Sequence, residues 1–69
     1  MQSKSFQIYV INEQEEIDRV IGVLKALPGV NTVVGDRETK IFAIQWSEPT
    51  EWDDIEKAIL KLHYTPAVS

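Results

Sequence analysis

The apolar residues of this 69-residue chain change their spacing from segment to segment, and the changes predict its elements. From Phe6 to Ile11, β-branched and aromatic residues surround a single glutamine, and Phe6, Ile8 and Val10 alternate onto one face, as a half-buried strand requires. The period then lengthens: Ile17, Val20, Ile21, Leu24 and Leu27 recur at three and four, the apolar stripe of an amphipathic helix. Asn12 is placed to cap that helix, with Glu15 three residues on as a capping-box partner. Glu13, Glu15 and Glu16 bring negative charge to the positive end of the helix dipole. Pro28 and Gly29 end the helix, because proline cannot continue the hydrogen-bond ladder and glycine accepts the turn geometry.

Val30 to Val34 reads as a second strand, Gly35 to Glu38 as a turn, and Lys40 to Trp46 as a third strand with Phe42, Ile44 and Trp46 on one face. A Thr50-x-x-Asp53 capping signal then precedes Trp52, Ile55, Ile59 and Leu62 at helical spacing, with Ala58 beside them. Residues 63–68 leave room for a brief last strand, in which Pro66 suits only an edge. The order β-α-β-β-α-β with right-handed crossovers predicts an α+β, ferredoxin-like domain: a four-stranded antiparallel sheet covered on one face by two helices. One domain is expected over 1–69, with its core over about 6–66. In that arrangement Asn12 to Glu16, Asp36-Arg37 and His63-Tyr64 come together at one end of the sheet.

Composition narrows the function. At this size only about 60% of the unfolded chain's surface can be buried. With no cysteine and one histidine, neither a disulfide nor a zinc cluster can add support, so packing alone holds the fold. The absence of cysteine and of an apolar run after Met1 makes a cytoplasmic location the expectation. No stretch approaches the roughly 20 apolar residues that span a bilayer, so membrane insertion is not expected. Seven Lys and Arg against eleven Asp and Glu give a net charge of −4, which opposes a phosphate backbone and argues against nucleic acid as a partner.

Two segments, Val20-Ile21-Gly22-Val23-Leu24-Lys25-Ala26-Leu27-Pro28-Gly29-Val30 and Ile55-Glu56-Lys57-Ala58-Ile59-Leu60-Lys61-Leu62-His63-Tyr64, resemble the first-helix end and the second helix of heavy-metal-associated domains. That family comprises copper chaperones and the cytosolic modules of metal-pumping ATPases, and the resemblance runs from about Phe6 to Pro66. It implies a metal loop after the first strand that reads Met-x-Cys-x-x-Cys, whose two thiolates hold a soft ion such as Cu(I). Alignment on Val20 puts Ile11 at the methionine, Glu13 at the first cysteine and Glu16 at the second. Where the family often has glycine before the tyrosine of the second helix, this chain has His63. Carboxylate oxygens suit harder ions than thiolates do, so the family's Cu(I) does not carry over.

Two uses of this end remain open. Glu13, Glu16 and His63 form a candidate oxygen and imidazole site for a divalent metal ion such as Mn(II) or Zn(II). The same glutamates are also what a well-capped helix start carries, and His63 what a helix end carries. On the sheet side that no helix covers, Tyr9, Ile11 and Val33 form a candidate apolar interaction surface for a protein partner or a homodimer. Catalysis finds no support: there is no phosphate-cradling glycine loop, no nucleophile motif and no paired acid and base in a cleft. The sequence therefore points to a non-catalytic interaction or regulatory module without a cofactor, resembling a heavy-metal-associated domain that has lost its soft-metal site; the alternative is a carrier or sensor of a harder divalent ion.

Overall fold

The computed structural model describes residues 1–68; Ser69, part of the expected 1–69 domain, lies outside the described residues. The chain runs β1 (Gln2–Gln7), α1 (Gln14–Lys25), β2 (Val30–Gly35), β3 (Ile41–Trp46), α2 (Trp52–Lys61) and a two-residue β4 (Ala67–Val68). Strand order across the sheet is β2-β3-β1-β4, with each neighbouring pair antiparallel. This is the expected βαββαβ topology, with β2, β3 and β1 as its body. At the place of the fourth strand only Ala67 and Val68 pair, with Gln7 and Phe6. Among the described residues, no helix is long and apolar enough to cross a membrane.

The core follows the predicted periodicities in three of the elements. In β3, Phe42, Ile44 and Trp46 are buried while Ile41, Ala43 and Gln45 are exposed. Ile17, Val20 and Leu24 of α1 and Ile55 and Ile59 of α2 join the same buried cluster. Full burial of one such side chain stabilises a domain by about 1.5–3 kcal/mol, so this cluster is the dominant favourable contribution. Phe6 stacks on Phe42 at 5.3 Å between ring centroids, and Trp52 lies 5.7 Å from Phe6 and 6.2 Å from Trp46. Lys4 places its ammonium 4.8 Å above the Trp52 ring, so its stem and charge cover aromatic surface. The indole Nε1 of Trp46 is buried with no hydrogen-bond partner among the described residues.

The first strand differs from the expectation. It occupies Gln2–Gln7 instead of Phe6 to Ile11, pairing with β3 from Gln2 opposite Trp46 to Gln7 opposite Ile41. The partner decides this register. β3 is a complete, alternating strand, and a polar segment whose Phe6 fits against Phe42 satisfies its edge. The apolar residues that follow leave the ladder: Ile8 and Ile11 plug the core from a loop, and Val10 is exposed.

The helix starts move as well. Glu13, not Asn12, is the N-cap of α1, and its side chain makes no capping bond. At α2 the N-cap is Glu51, whose N–H donates to Asp54 Oδ2 at 3.0 Å. Thr50 is buried instead and donates its hydroxyl to the Pro28 carbonyl. That bond and Ser47 N–H to Gly29 O at 2.7 Å tie the α1–β2 and β3–α2 connections together at the lower end of the sheet. Gly29 has φ +89, and a Cβ there would collide with the Ser47 carbonyl oxygen, so only glycine fits this crossing.

Candidate functional site

At the upper end, the connection from β1 to α1 meets the β2–β3 turn and the segment after α2. Ile8 and Ile11 are fully buried and point down into the core, which forces the intervening Tyr9 and Val10 outward at 62% and 64% exposure. The β2–β3 turn fixes this loop from the side. Ile8 N–H donates to Lys40 O at 3.0 Å, and Gln7 Nε2 donates to Thr39 O at 2.7 Å. The Lys40 ammonium donates to Tyr9 O at 2.9 Å and to Asn12 Oδ1 at 3.2 Å. Asn12 thus holds the lysine and does not cap the helix. Lys40 itself adopts φ +62, a left-handed backbone that a non-glycine residue takes only at a cost.

The end of α2 closes in a Schellman turn: His63 N–H donates to Leu60 O at 2.9 Å and Tyr64 N–H to Ile59 O at 3.4 Å. His63 sits at the left-handed position of that turn, φ +68, where helices most often carry glycine, and its ring is exposed. The turn sends Tyr64 back across the end of α1, where its hydroxyl donates to Glu16 Oε2 at 3.0 Å. Burial, the hydrogen bond to Glu16 and the Glu16 charge together push the Tyr64 pKa above its ordinary value of 10.0; Arg19 opposes them. Tyr64 therefore stays a neutral donor at neutral pH.

The sequence brought the right segments to this end, and the Tyr64–Glu16 and Lys40–Asn12 bonds are their contacts. Their details differ from the expected site. Glu13, Glu16 and His63 are not gathered as ligands: among the described residues no three His, Asp or Glu side chains group to hold a metal ion. The physical reason is local, since Glu16 is engaged by Tyr64, Glu13 is exposed at the N-cap, and His63 is committed to a left-handed turn. Of the expected apolar surface, Tyr9 is exposed, but Ile11 and Val33 are buried at 0% and 4% exposure. Ile11 leaves the strand alternation once β1 ends at Gln7, and Val33 lies on the helix-covered side opposite Ile44. The apolar residues on the uncovered face are Val34, Ile41 and Ala43; Val34 pairs with Ala43 across the β2–β3 ladder. The parity of Phe42, Ile44 and Trp46 was the signal that could have found them. For Lys40 the sequence carried no signal, because its role depends on the path of a loop far from it.

No protein-family profile matches the sequence, and no curated protein matches it. Solved structures do. Oxidised MerP from Ralstonia metallidurans is similar with a TM-score of 0.88 at 17% identity over 99% of this chain and 96% of that one. The yeast copper transporter domain Ccc2a, solved in apo and Cu(I)-loaded states, is similar with a TM-score of 0.89 at 13% identity over 100% of this chain and 96% of the other. The chain has the heavy-metal-associated fold. The N-terminal domain of a potential copper-translocating P-type ATPase from Bacillus subtilis, in its Cu(I)-loaded state, shares this fold with a TM-score of 0.87 at 16% identity, over 96% and 84% of the two chains. Within the heavy-metal-associated fold this chain has no cysteine anywhere in its sequence.

Proposed function

We propose that this domain is a non-catalytic protein-interaction or regulatory module of the cytoplasm, a degenerate heavy-metal-associated domain that has given up soft-metal binding. The carrying observation is the loop between β1 and α1. In place of thiolates it offers carboxylates and amide oxygens, which are poor donors to Cu(I). It already accepts hydrogen bonds from the Lys40 ammonium, so an entering cation would meet a resident positive charge. Catalysis has no support either: Tyr64, the phenol at this end, has its pKa pushed up by burial and by its bond to Glu16, which makes it a poorer proton donor and keeps it neutral. Among the exposed apolar residues, Tyr9 and Val10 on the loop and Val34 and Ile41 on the sheet suit contact with protein.

The test is metal competition combined with partner capture. Cu(I) held by a chromophoric chelator is offered to the protein, and calorimetric titrations follow with Mn(II), Zn(II), Ni(II) and Cu(II). The expected outcome is no withdrawal of Cu(I) and no saturable divalent binding, together with capture of a protein partner that Tyr9→Asp or Val34→Asp weakens. Withdrawal of Cu(I) would overturn the proposal. Divalent binding abolished by Glu13→Gln, Glu16→Gln and His63→Ala would replace it with a carrier of a harder ion.

A further inference from the structure

β2 is one edge of the sheet, and its backbone specifies what can lie against it. Asp36 N–H donates to Ile41 O at 3.0 Å, and on the other side of β3 Ile8 N–H donates to Lys40 O at 3.0 Å, so the odd-numbered residues of β3 turn their backbone groups toward β2 and Asp36 stands at a hydrogen-bonding position of that ladder. In an antiparallel ladder such positions recur at every second residue. Val34 and Thr32 therefore turn their N–H and C=O groups toward β3, and Val33 and Gly35 turn theirs out to the edge. Side-chain placement agrees: Val33 is buried, a Cβ on Gly35 would meet Phe42 and Ile17, and Thr32 and Val34 are exposed.

Sheet edges of this kind are commonly blunted by a charge, a proline or a short strand. The opposite edge carries the two-residue β4. β2 has no such device along its last residues: Val30–Gly35 reads VNTVVG, with no charged residue and no proline. Its one irregularity lies between Val30 and Thr32, leaving a regular stretch over 32–35.

We infer that this edge pairs with the β2 of a second copy of the chain, antiparallel about a two-fold axis at Val34. The inference names a partner for the interaction role proposed above and rests on that role. Outward N–H and C=O groups demand an extended strand, and β2 satisfies its own requirement. About that axis Val33 of one copy meets Gly35 of the other, each pair exchanging both backbone bonds. Val34 faces its own counterpart in the closer, non-hydrogen-bonded position. A chain of net charge −4 repels its copy, and an uncharged strand is where two copies meet without opposing like charges. The pairing also joins the two Val34, Ile41 and Ala43 patches into one continuous apolar surface on the uncovered face.

An edge-to-edge contact of this length buries less than the roughly 1,200 Å² of stable interfaces, so the dimer is transient and is best trapped. The chain has no cysteine, which makes a single introduced thiol unambiguous. Residues facing in a non-hydrogen-bonded pair have Cα atoms about 4.5 Å apart, within disulfide range. Val34→Cys is expected to oxidise predominantly to a linked dimer at dilute concentration, while Ile41→Cys, exposed on the same face but one strand away, stays mainly monomeric. Sedimentation equilibrium of the unaltered chain should show a dimer fraction that grows with protein and with salt, and Val34→Lys should abolish it. Equal cross-linking of the two cysteine variants, or a monomer mass unchanged by concentration and salt, overturns self-pairing. Either result leaves the interaction role standing if another protein is captured, whereas Cu(I) uptake in the competition above overturns that role whatever the oligomeric state.

Discussion

His63 is a non-glycine residue held in a left-handed backbone at a helix end, and replacing it by glycine should stabilise the domain. The residue holds φ +68 at the turn that closes α2. A left-handed backbone costs a non-glycine residue roughly 1–2 kcal/mol, and glycine occupies it without penalty. Against that gain, glycine has more freedom to lose on folding, a cost of about 0.5–1 kcal/mol. The exposed imidazole has no hydrogen bond among the described residues to lose. The net expectation for His63→Gly is a gain of about 0.5–1 kcal/mol, which for a domain of this size raises Tm by roughly 2–8 °C. His63→Ala keeps the strained backbone and removes the ring, so it should leave Tm nearly unchanged. Thermal melts followed by far-UV circular dichroism at neutral pH, with and without added Zn(II), measure all three proteins. A loss of stability in His63→Gly equal to that in His63→Ala would refute the reasoning, because the imidazole and not the backbone would then carry the contribution.

Two further substitutions probe the ends of the sheet. Gly29→Ala combines a left-handed backbone with a collision at the Ser47 carbonyl and should destabilise by about 2–4 kcal/mol in guanidinium titrations; a change within experimental scatter would show that the lower crossing is loose. Tyr64 has its pKa raised in the folded state, so its contribution is fully present below pH 10.0, the unfolded value, and is lost as pH rises through the higher folded value. Stability of the unaltered chain should therefore fall on the alkaline side, and Tyr64→Phe should flatten that fall; an identical alkaline slope in both proteins would count against the Tyr64–Glu16 contact.

Periodicity made most of the fold legible. The stripe Ile17, Val20 and Leu24, the alternation of Phe42, Ile44 and Trp46, and the pair Ile55 and Ile59 lie in the core where their spacing put them. The first strand was harder because its strand-like letters and its ladder do not coincide. Gln2 to Ser5 are poor strand formers that pair because β3 is there to pair with, whereas Ile8 to Ile11 are good strand formers that pack from a loop. That offset hid the buried state of Ile11 and, with it, the true membership of the uncovered face. The assembly of the upper end was foreseen from topology, but the partners within it were not. Lys40 to Asn12 and Tyr64 to Glu16 are bonds between side chains 28 and 48 residues apart, and local pattern carries no record of them.

The two ends of the domain are built with different margins. Below, the Gly29–Ser47 and Thr50–Pro28 bonds join two connections through backbone carbonyls at a residue whose geometry is relaxed. Above, Lys40 and His63 are both non-glycine residues in left-handed conformations; Lys40 bonds to the β1–α1 loop, and His63 precedes the Tyr64 that bonds to Glu16 of α1. Thermal opening proceeds from the least favourable local structure, so fraying of this domain has a direction. It is expected to begin at the upper end, where releasing Lys40 relieves strain and frees Tyr9 and Val10 from a loop that its side-chain bonds hold, while the bonds of the lower end keep the two connections joined.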